Sequence, residues 1–416
     1  MGTPTESTTA AGRRRLFITA ALGIPVMLAA AACGGKSTGV GPGSAPSPAG
    51  GSPWASHPQS PAPAPVPGVT TGAWRALPPV PAAYWPEAST SIWTGSQMII
   101  HALRYRPGAK PAPVTFGYRP ATNTWRRLAR GPGPATIQTT DVAIWTGSEM
   151  LVPGLTNGAY NPASNTWRPM AREPSANDGA VAAWTGHEAI IWDGVCCDGT
   201  SNRGVAYRPA TNTWQTLPDA PLARRRNAMG AWTGTKLIVA GGISRSVPGP
   251  VPRIYHDGAA YNPLTRTWRK LPPMPTRRYG GIALWDGTEV LFLGGSTTGY
   301  TPAARGLTYN PATNRWRVLP AMHYARSGFA AVWTGHQALV WGGLMGPAPA
   351  RVPPPHGEAY DPATNRWTAL PQSPLHGRAS PAAAWTGTEM IVCGGSIPSQ
   401  PQPTIFTDGA AYTPAS

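Results

Sequence analysis

Residues 306–320 read Gly306-Leu307-Thr308-Tyr309-Asn310-Pro311-Ala312-Thr313-Asn314-Arg315-Trp316-Arg317-Val318-Leu319-Pro320. An apolar run ends in tyrosine, a turn rich in Pro and Asn follows, and a tryptophan opens a second run that stops at proline. Pro presets φ in a tight turn, and Asn either bonds its own backbone or enters the left-handed region, so the middle of this stretch is a turn between two antiparallel strands. The phrase recurs. Tyr118/Trp125, Tyr160/Trp167, Tyr207/Trp214, Tyr261/Trp268, Tyr309/Trp316 and Tyr360/Trp367 all keep the same seven-residue spacing. A further copy is split, with Trp74 near the start of the chain and Tyr412 near its end. Successive tryptophans of this set lie about 49 residues apart, a period that marks one supersecondary unit per repeat.

Outward from the turn, each unit carries a second tryptophan: Trp93, Trp145, Trp184, Trp232, Trp285, Trp333 and Trp385, mostly within Trp-Thr-Gly. In the unit Gly281 to Leu319, the run Gly281-Ile282-Ala283-Leu284-Trp285 meets Asp286-Gly287, a two-residue hairpin signal. A second run, Glu289 to Leu293, ends at Gly294-Gly295; a variable loop follows, then the two strands around Tyr309 and Trp316. Four short antiparallel strands per unit make one blade, and blades pack radially. Tyr and Trp bury large apolar areas and carry a polar tip that needs a partner, so one pair per blade is suited to filling the wedge between neighbouring sheets. One blade cannot bury both its faces, which is why about 345 residues can form one domain through neighbour contacts.

The succession Gly-Gly, variable loop, Tyr-x-Pro-x-Thr-Asn-x-Trp, Leu-Pro-x-x-Pro and often Arg resembles the kelch repeat, over Gly72 to Ser416. The resemblance implies an all-β fold, a seven-bladed β-propeller. Two units depart from it: Ile99-Ile100-His101-Ala102 and Pro153-Gly154 stand where Gly-Gly is expected, so those two blades are expected to be the least regular. The C-terminus supplies three strands, around Trp385, Val392 and Tyr412. Ala73-Trp74-Arg75-Ala76-Leu77-Pro78 reads as a strand with no predecessor. Joining them completes a seventh blade, closed by an N-terminal outer strand that carries Trp74, and removes the exposed edge of an open ring.

Three domains are expected: residues 1–33 as an export signal, 34–68 as a tether and 69–416 as the propeller. Arg13-Arg14-Arg15 precedes a charge-free apolar stretch, Leu16 to Ala32, as in a secretory leader. Arg14-Arg15-Leu16-Phe17-Ile18 is similar to a twin-arginine signal. Ala30-Ala31-Ala32-Cys33-Gly34 resembles a bacterial lipobox, with alanine at the position usually held by leucine, and implies acylation of Cys33. Gly34 to Gly68 is Gly, Ser, Pro and Ala without apolar bulk, a tether composition. The expected location is the outer face of the cytoplasmic membrane as a lipoprotein, with the membrane reached through the N-terminal lipid; a secreted protein is the alternative. Gly35-Lys36-Ser37-Thr38 copies the end of a phosphate-binding loop, but Ala30 stands where that motif needs glycine, and no strand precedes it.

The net charge is +17, from 34 basic and 17 acidic residues, and nearly all the basic ones are arginine. Such a balance favours anionic partners. Export and the lack of any nucleic-acid motif speak against nucleic acid. The expected partner is a protein or an anionic glycan or other cell-envelope component, bound by a monomer. With Cys33 acylated, Cys196, Cys197 and Cys393 remain; the first two are adjacent and suited to a vicinal disulfide in an oxidising compartment. Cys393, on a strand before Gly394-Gly395, reads as a small buried hydrophobe. No spacing suggests a zinc site.

The two short turn types fall on one face of the disc. The variable loops His101 to Phe116, Asp193 to Gly204, Gly242 to Asp257, Gly295 to Gly306, Gly343 to Gly357 and Gly395 to Asp408 fall on the other, where function on a rigid frame usually sits. Arginines gather there. Arg226, Arg278, Arg326 and Arg378, at the blade-to-blade connections, are either a convergent clamp for carboxylate or phosphate or braces between blades. Arg253 and Arg351, at loop tips, read as solvated surface. Tyr279 and Tyr324, with Trp85 and Tyr300, are expected near the same face, whereas Trp192 and Trp341 end second strands and read as core. The expected function is a binding module on this face, for an anionic ligand or a protein partner, with no cofactor.

A rival enzymatic reading comes from resemblance. Some seven-bladed kelch propellers are similar to galactose oxidase, whose copper sits between tyrosines and histidines with a cysteine cross-linked to one tyrosine. The residues that match in type are Tyr255, His256, His323 and His376, with His356 nearby, and imidazole suits copper. No cysteine stands beside a second tyrosine ligand in the sequence. His187 and His336 belong to Trp-Thr-Gly-His turns. Hydrolase chemistry is weaker still, since no nucleophile elbow appears.

Overall fold

The computed structural model describes residues 72–108, 110–132, 142–154, 156–174, 180–192, 195–196, 199–200, 202–244, 252–346, 352–354, 356–398 and 402–415. Cys33, the segments expected to be an export signal and a tether, Arg351 and Cys197 lie outside them, and so does the side chain of Cys196. The described residues form seven four-stranded antiparallel sheets. The fifth blade shows the plan: Ile282–Trp285, Val290–Leu293, Arg305–Asn310 and Arg315–Ala321, paired in that order. First strands of successive blades touch one another round a closed ring, from the first (Tyr84–Trp93) to the seventh (Ala382–Trp385) and back. The fold is an all-β, seven-bladed propeller.

The seam is where the sequence puts it. Ala73–Leu77 pairs with Gly409–Thr413 in register, Trp74 opposite Tyr412, and so completes the seventh blade. Every other blade places its Tyr opposite its Trp in the same way: Tyr118 with Trp125, Tyr160 with Trp167, Tyr207 with Trp214, Tyr261 with Trp268, Tyr309 with Trp316 and Tyr360 with Trp367. Directly opposed side chains on one face make the strongest cross-strand contacts, and these ring pairs lie 4.9–5.2 Å apart.

The tryptophans do more than pack. Each indole Nε1 donates to the carbonyl that ends the outer strand of the preceding blade: Trp125 to Pro78, Trp167 to Ala129, Trp214 to Ala171, Trp268 to Pro218, Trp316 to Pro272, Trp367 to Pro320 and Trp74 to Pro371, all at 2.8–3.1 Å. Because Trp74 reaches back to the sixth blade while Pro78 receives the first, these seven bonds close on themselves. The apolar core likewise sits between blades. Met229, Ile238 and Ala240 of the fourth blade pack with Ala283, Val290, Phe292 and Leu307 of the fifth, and Trp316 covers the edge. Trp192 and Trp341 are buried, as expected from their place at the end of second strands.

Each turn follows from its residues. In the 3–4 turn the left-handed position is taken by Asn123, Asn165, Asn212, Asn314 and Asn365, with φ of 52–57°. The same Asn accepts a hydrogen bond from the hydroxyl of its Tyr five residues earlier, as Asn314 does from Tyr309 at 2.8 Å. In the 1–2 turn the Thr of Trp-Thr-Gly accepts from the backbone three residues on, and Asp286 does so in the fifth blade. At the end of the second strand, Gly295 has φ of 82°, and a Cβ there would lie 2.8 Å from the Tyr279 carbonyl oxygen.

Two stretches differ from the sequence reading. Both ends of the loop expected over His101 to Phe116 are strand: Met98–Arg104 pairs with Pro113–Arg119, and His101 stands opposite Thr115. The second strand of the first blade runs on through the positions where Gly-Gly is expected, and the sixth-blade strand Ala338–Leu344 does so through Gly342-Gly343 itself. The first strand there is also long and carries a register shift between Tyr84 and Ser89. The second blade is correspondingly short, opening on the two-residue strand Ile144–Trp145. The fourth strand of the fifth blade, expected to stop at Pro320, continues to Ala321, and the ladder absorbs the proline at a shift between Arg305 and Leu307.

Candidate functional site

The 4–1 connection that enters each blade and the variable 2–3 loop of the same blade meet on one face. Among the described residues, four connections carry a buried arginine that ties them together. Arg225 Nη1 donates to Gly241 O at 2.8 Å, Arg278 Nη1 to Gly294 O at 3.4 Å, Arg326 Nη1 to Gly342 O at 3.2 Å and Arg378 Nη1 to Gly394 O at 3.2 Å. In every case the acceptor is the first glycine of the Gly-Gly pair, sixteen residues on, where the variable loop begins. The other donors reach the place where that loop returns. Arg225 pairs with Asp257 through Nη1 and Nη2 at 2.8 and 3.0 Å, and Arg378 with Asp408 at 2.5 and 3.1 Å. Arg326 donates to the His356 carbonyl and, at 2.5 Å, to Glu358. Each guanidinium thus holds the two stems of a variable loop together, a task that its planar fork of donors suits.

Electrostatics follow the pairing. Burial alone would raise the Asp257 and Asp408 carboxyls, but hydrogen bonds and charge from Arg225 and Arg378 outweigh it and hold both below the ordinary carboxylate value. Burial lowers the Arg326 guanidinium, opposed by Glu358. Arg278 differs. Its connection has Arg305 where the fourth and seventh blades have aspartate, so its acceptors are the Arg305 carbonyl at 2.9 Å and the Thr276 hydroxyl at 2.6 Å. Burial lowers it to about 10.

Of the four arginines expected here, Arg278, Arg326 and Arg378 are at the stems, with at most 2 % of their surface exposed. They do not converge as an open clamp on a channel mouth, because each is committed inside its own blade. Arg226 is not one of the set: Arg225 takes the stem position, and Arg226 instead forms a backbone bridge with Ile243. Counting back sixteen residues from each Gly-Gly pair identifies Arg225, a signal that the run Arg224-Arg225-Arg226 obscures. The acidic partners Asp257, Glu358 and Asp408 were missed too, although acidic residues recur where the loops return.

Tyr279 is buried beside Tyr300, edge to face at 6.4 Å, and Tyr324 is half-buried, its ring 5.9 Å from the Arg326 guanidinium carbon. Exposed arginines in the loops and connections of this face include Arg106, Arg130, Arg172 and Arg203 of the first three blades and Arg224, Arg253, Arg277 and Arg305. The last four belong to the neighbouring fourth and fifth blades, and Arg277 donates to Ile254 O of the fourth-blade loop at 3.3 Å.

The four metal-ligand candidates come from the loops and connections of the fourth, sixth and seventh blades, and three of them have contacts of their own. The Tyr255 hydroxyl donates to Arg224 O at 3.3 Å, and its ring lies under the Arg225 guanidinium at 4.1 Å. His256 follows it in the same loop. His323 Nδ1 sits 2.9 Å from Glu358 in the sixth blade, and the His376 ring stacks on Phe406 in the seventh. Among the described residues no three histidine, cysteine or acidic side chains gather where a metal ion could be held. Cys393 is buried and free, its thiol pushed up to about 12 by burial.

The Kelch motif matches residues 225–275, which run from the stem arginine of the fourth blade to the entry of the fifth. No curated protein matches the chain. Among solved structures that share its fold is a fungal alcohol oxidase of the AA5 family in complex with copper, 14 % identical, with a TM-score of 0.62 over 82 % of this chain and 76 % of that one. At that identity the likeness speaks for the fold alone. The chain is thus a seven-bladed propeller whose fourth blade matches the Kelch motif.

Proposed function

We propose that the chain is an exported, lipid-anchored binding module that engages an anionic glycan or protein partner of the cell envelope through its variable-loop face. One observation carries the reading: the buried arginines lock the loop stems, while Arg224, Arg253, Arg277 and Arg305 are left exposed on two adjoining blades. Preordered loops lower the entropic cost of binding, and like charges gathered on one face attract an opposite one. The +17 balance points the same way. Acylation at Cys33 and the tether would hold this face clear of the membrane.

The test is binding of a labelled polyuronate to the full chain as sodium chloride rises. Wild type should bind and be released by salt; a variant with Arg224, Arg253, Arg277 and Arg305 changed to Ser should bind far less at every salt concentration. Equal binding by both would refute the reading. Copper analysis after loading and dialysis addresses the oxidase alternative: one copper retained per chain would overturn the present proposal. Substituting Cys33→Ser should shift the protein from the membrane to the soluble exported fraction.

A further inference from the structure

Arg278 is 2 % exposed, and among the described residues no carboxylate pairs with it. Its counterparts show what this environment is built to hold. Asp257 and Asp408 each present both carboxylate oxygens to the two terminal nitrogens of their arginine, and Glu358 presents one to Arg326. In the fifth blade the residue aligned with Asp257 and Asp408, just before the third-strand glycine, is Arg305, a second cation whose side chain is exposed. Nε is also different. In Arg225, Arg326 and Arg378 it donates to the carbonyl two residues earlier. In Arg278 it is buried with no hydrogen-bond partner, while Nη2 is turned to the Thr276 hydroxyl. Burying a guanidinium without a counter-charge is unfavourable, and leaving one of its donors unmade adds to that cost.

We propose that the stem of the fifth-blade loop is a binding site for one small free carboxylate, of formate or acetate size, held by Arg278 and Arg305. The ligand stands where the chain's own aspartate stands in the fourth and seventh blades. It pairs with both terminal nitrogens of Arg278 by taking over the Nη1 donor now spent on the Arg305 carbonyl, and the exposed Arg305 side chain supplies a second positive charge. Thr276, exposed beside Arg278, turns its hydroxyl to donate to the bound oxygen. Binding thereby ties the two stems of the Gly295 to Gly306 loop as a covalently attached aspartate does next door. This site does not depend on the larger partner proposed above, and its failure leaves that reading untouched.

The experiment is thermal unfolding of the full chain at neutral pH, with sodium acetate exchanged for sodium chloride at constant ionic strength. Wild type should show a saturable rise in Tm, about 2 °C at tenfold the half-saturating concentration for a domain of this size. Arg305→Asp, which restores the chain's own carboxylate, should melt higher than wild type in chloride and show no saturable response to acetate. Arg278→Met should also lose the response. A wild type indifferent to acetate, or an equal response in wild type and Arg305→Asp, would overturn the proposal; because general salt effects act on both proteins alike, only the difference between them counts.

Discussion

The fourth blade breaks the turn pattern at one point, and the break has a measurable consequence. Where five blades place Asn in the left-handed position of the 3–4 turn, this one places Arg266, at φ of 53°. The Tyr261 hydroxyl, which Asn would satisfy, is therefore buried without a partner. Arg266 instead reaches the third blade, to Gln215 Oε1 at 2.9 Å and Thr216 O at 3.1 Å, both at the exposed surface. Arg266→Asn should restore a hydrogen bond worth roughly 0.5–1.5 kcal/mol and relieve part of the left-handed strain that Asn tolerates best. Against this stands the loss of two exposed contacts, each worth a few tenths of a kcal/mol at most. The expected net gain is about 1 kcal/mol. With an unfolding entropy of about 2.1 cal/mol/K per residue over about 345 residues, that is a Tm rise of roughly 1.5 °C. The paired control is Tyr→Phe. Tyr261→Phe removes an unpaired hydroxyl and should be neutral or slightly stabilising. Tyr309→Phe removes one that bonds Asn314 at 2.8 Å and Arg269 at 3.2 Å, and should cost about 1–2 kcal/mol, a fall of roughly 1.5–3 °C. Differential scanning calorimetry resolves these shifts. Equal effects of the two Tyr→Phe changes, or a destabilised Arg266→Asn, would refute the reasoning.

Other expectations concern pH and the loop stems. His101 is buried between Thr115 and Thr156, and burial lowers it to about 4. A base held neutral in the fold but protonated when unfolded costs stability as pH falls from about 6.5 toward 4, so Tm should drop over that range, and less in His101→Gln. Asp257 and Asp408 are held low, so the stability they give is present above the ordinary carboxylate value of 3.8 and lost as pH falls through their folded values. Hydrogen exchange should then show the fourth- and seventh-blade stems loosening in acid, with the fifth-blade stem, which has no carboxylate there, unchanged. Asp257→Asn should speed exchange at Gly241 and Gly242 at neutral pH without affecting Gly394.

The fold was legible because a repeat states the same pattern many times, and an error in one copy is corrected by the others. Trp74 and Tyr412 could be matched across the whole chain for that reason. What the repeat could not give was the behaviour of its exceptions. His101 reads as a loop residue only if Gly-Gly is assumed to end the strand; with a side chain that buries well and bonds two threonines, the ladder continues. The stem arginines were visible as recurring residues, but their burial was not. It depends on Gly241, Gly294, Gly342 and Gly394 offering a bare carbonyl and, for Arg225, Arg326 and Arg378, on acidic residues about thirty positions downstream, separations that only the folded blade brings together. Within Arg224-Arg225-Arg226 the choice of residue turns on that same separation. The ligand is least legible of all, since loops on a common frame carry no repeated pattern to read.

The seven indole bonds offer the most direct test of the ring. With tryptophan labelled at its indole nitrogen, hydrogen exchange can be followed at each side chain in the intact protein. The account predicts that Trp74, at the seam, is protected to the same degree as Trp125, Trp214, Trp316 and Trp367, because its bond to Pro371 O at 3.0 Å closes the circle. Free exchange at Trp74 alongside protection at the others would show an open ring and contradict it.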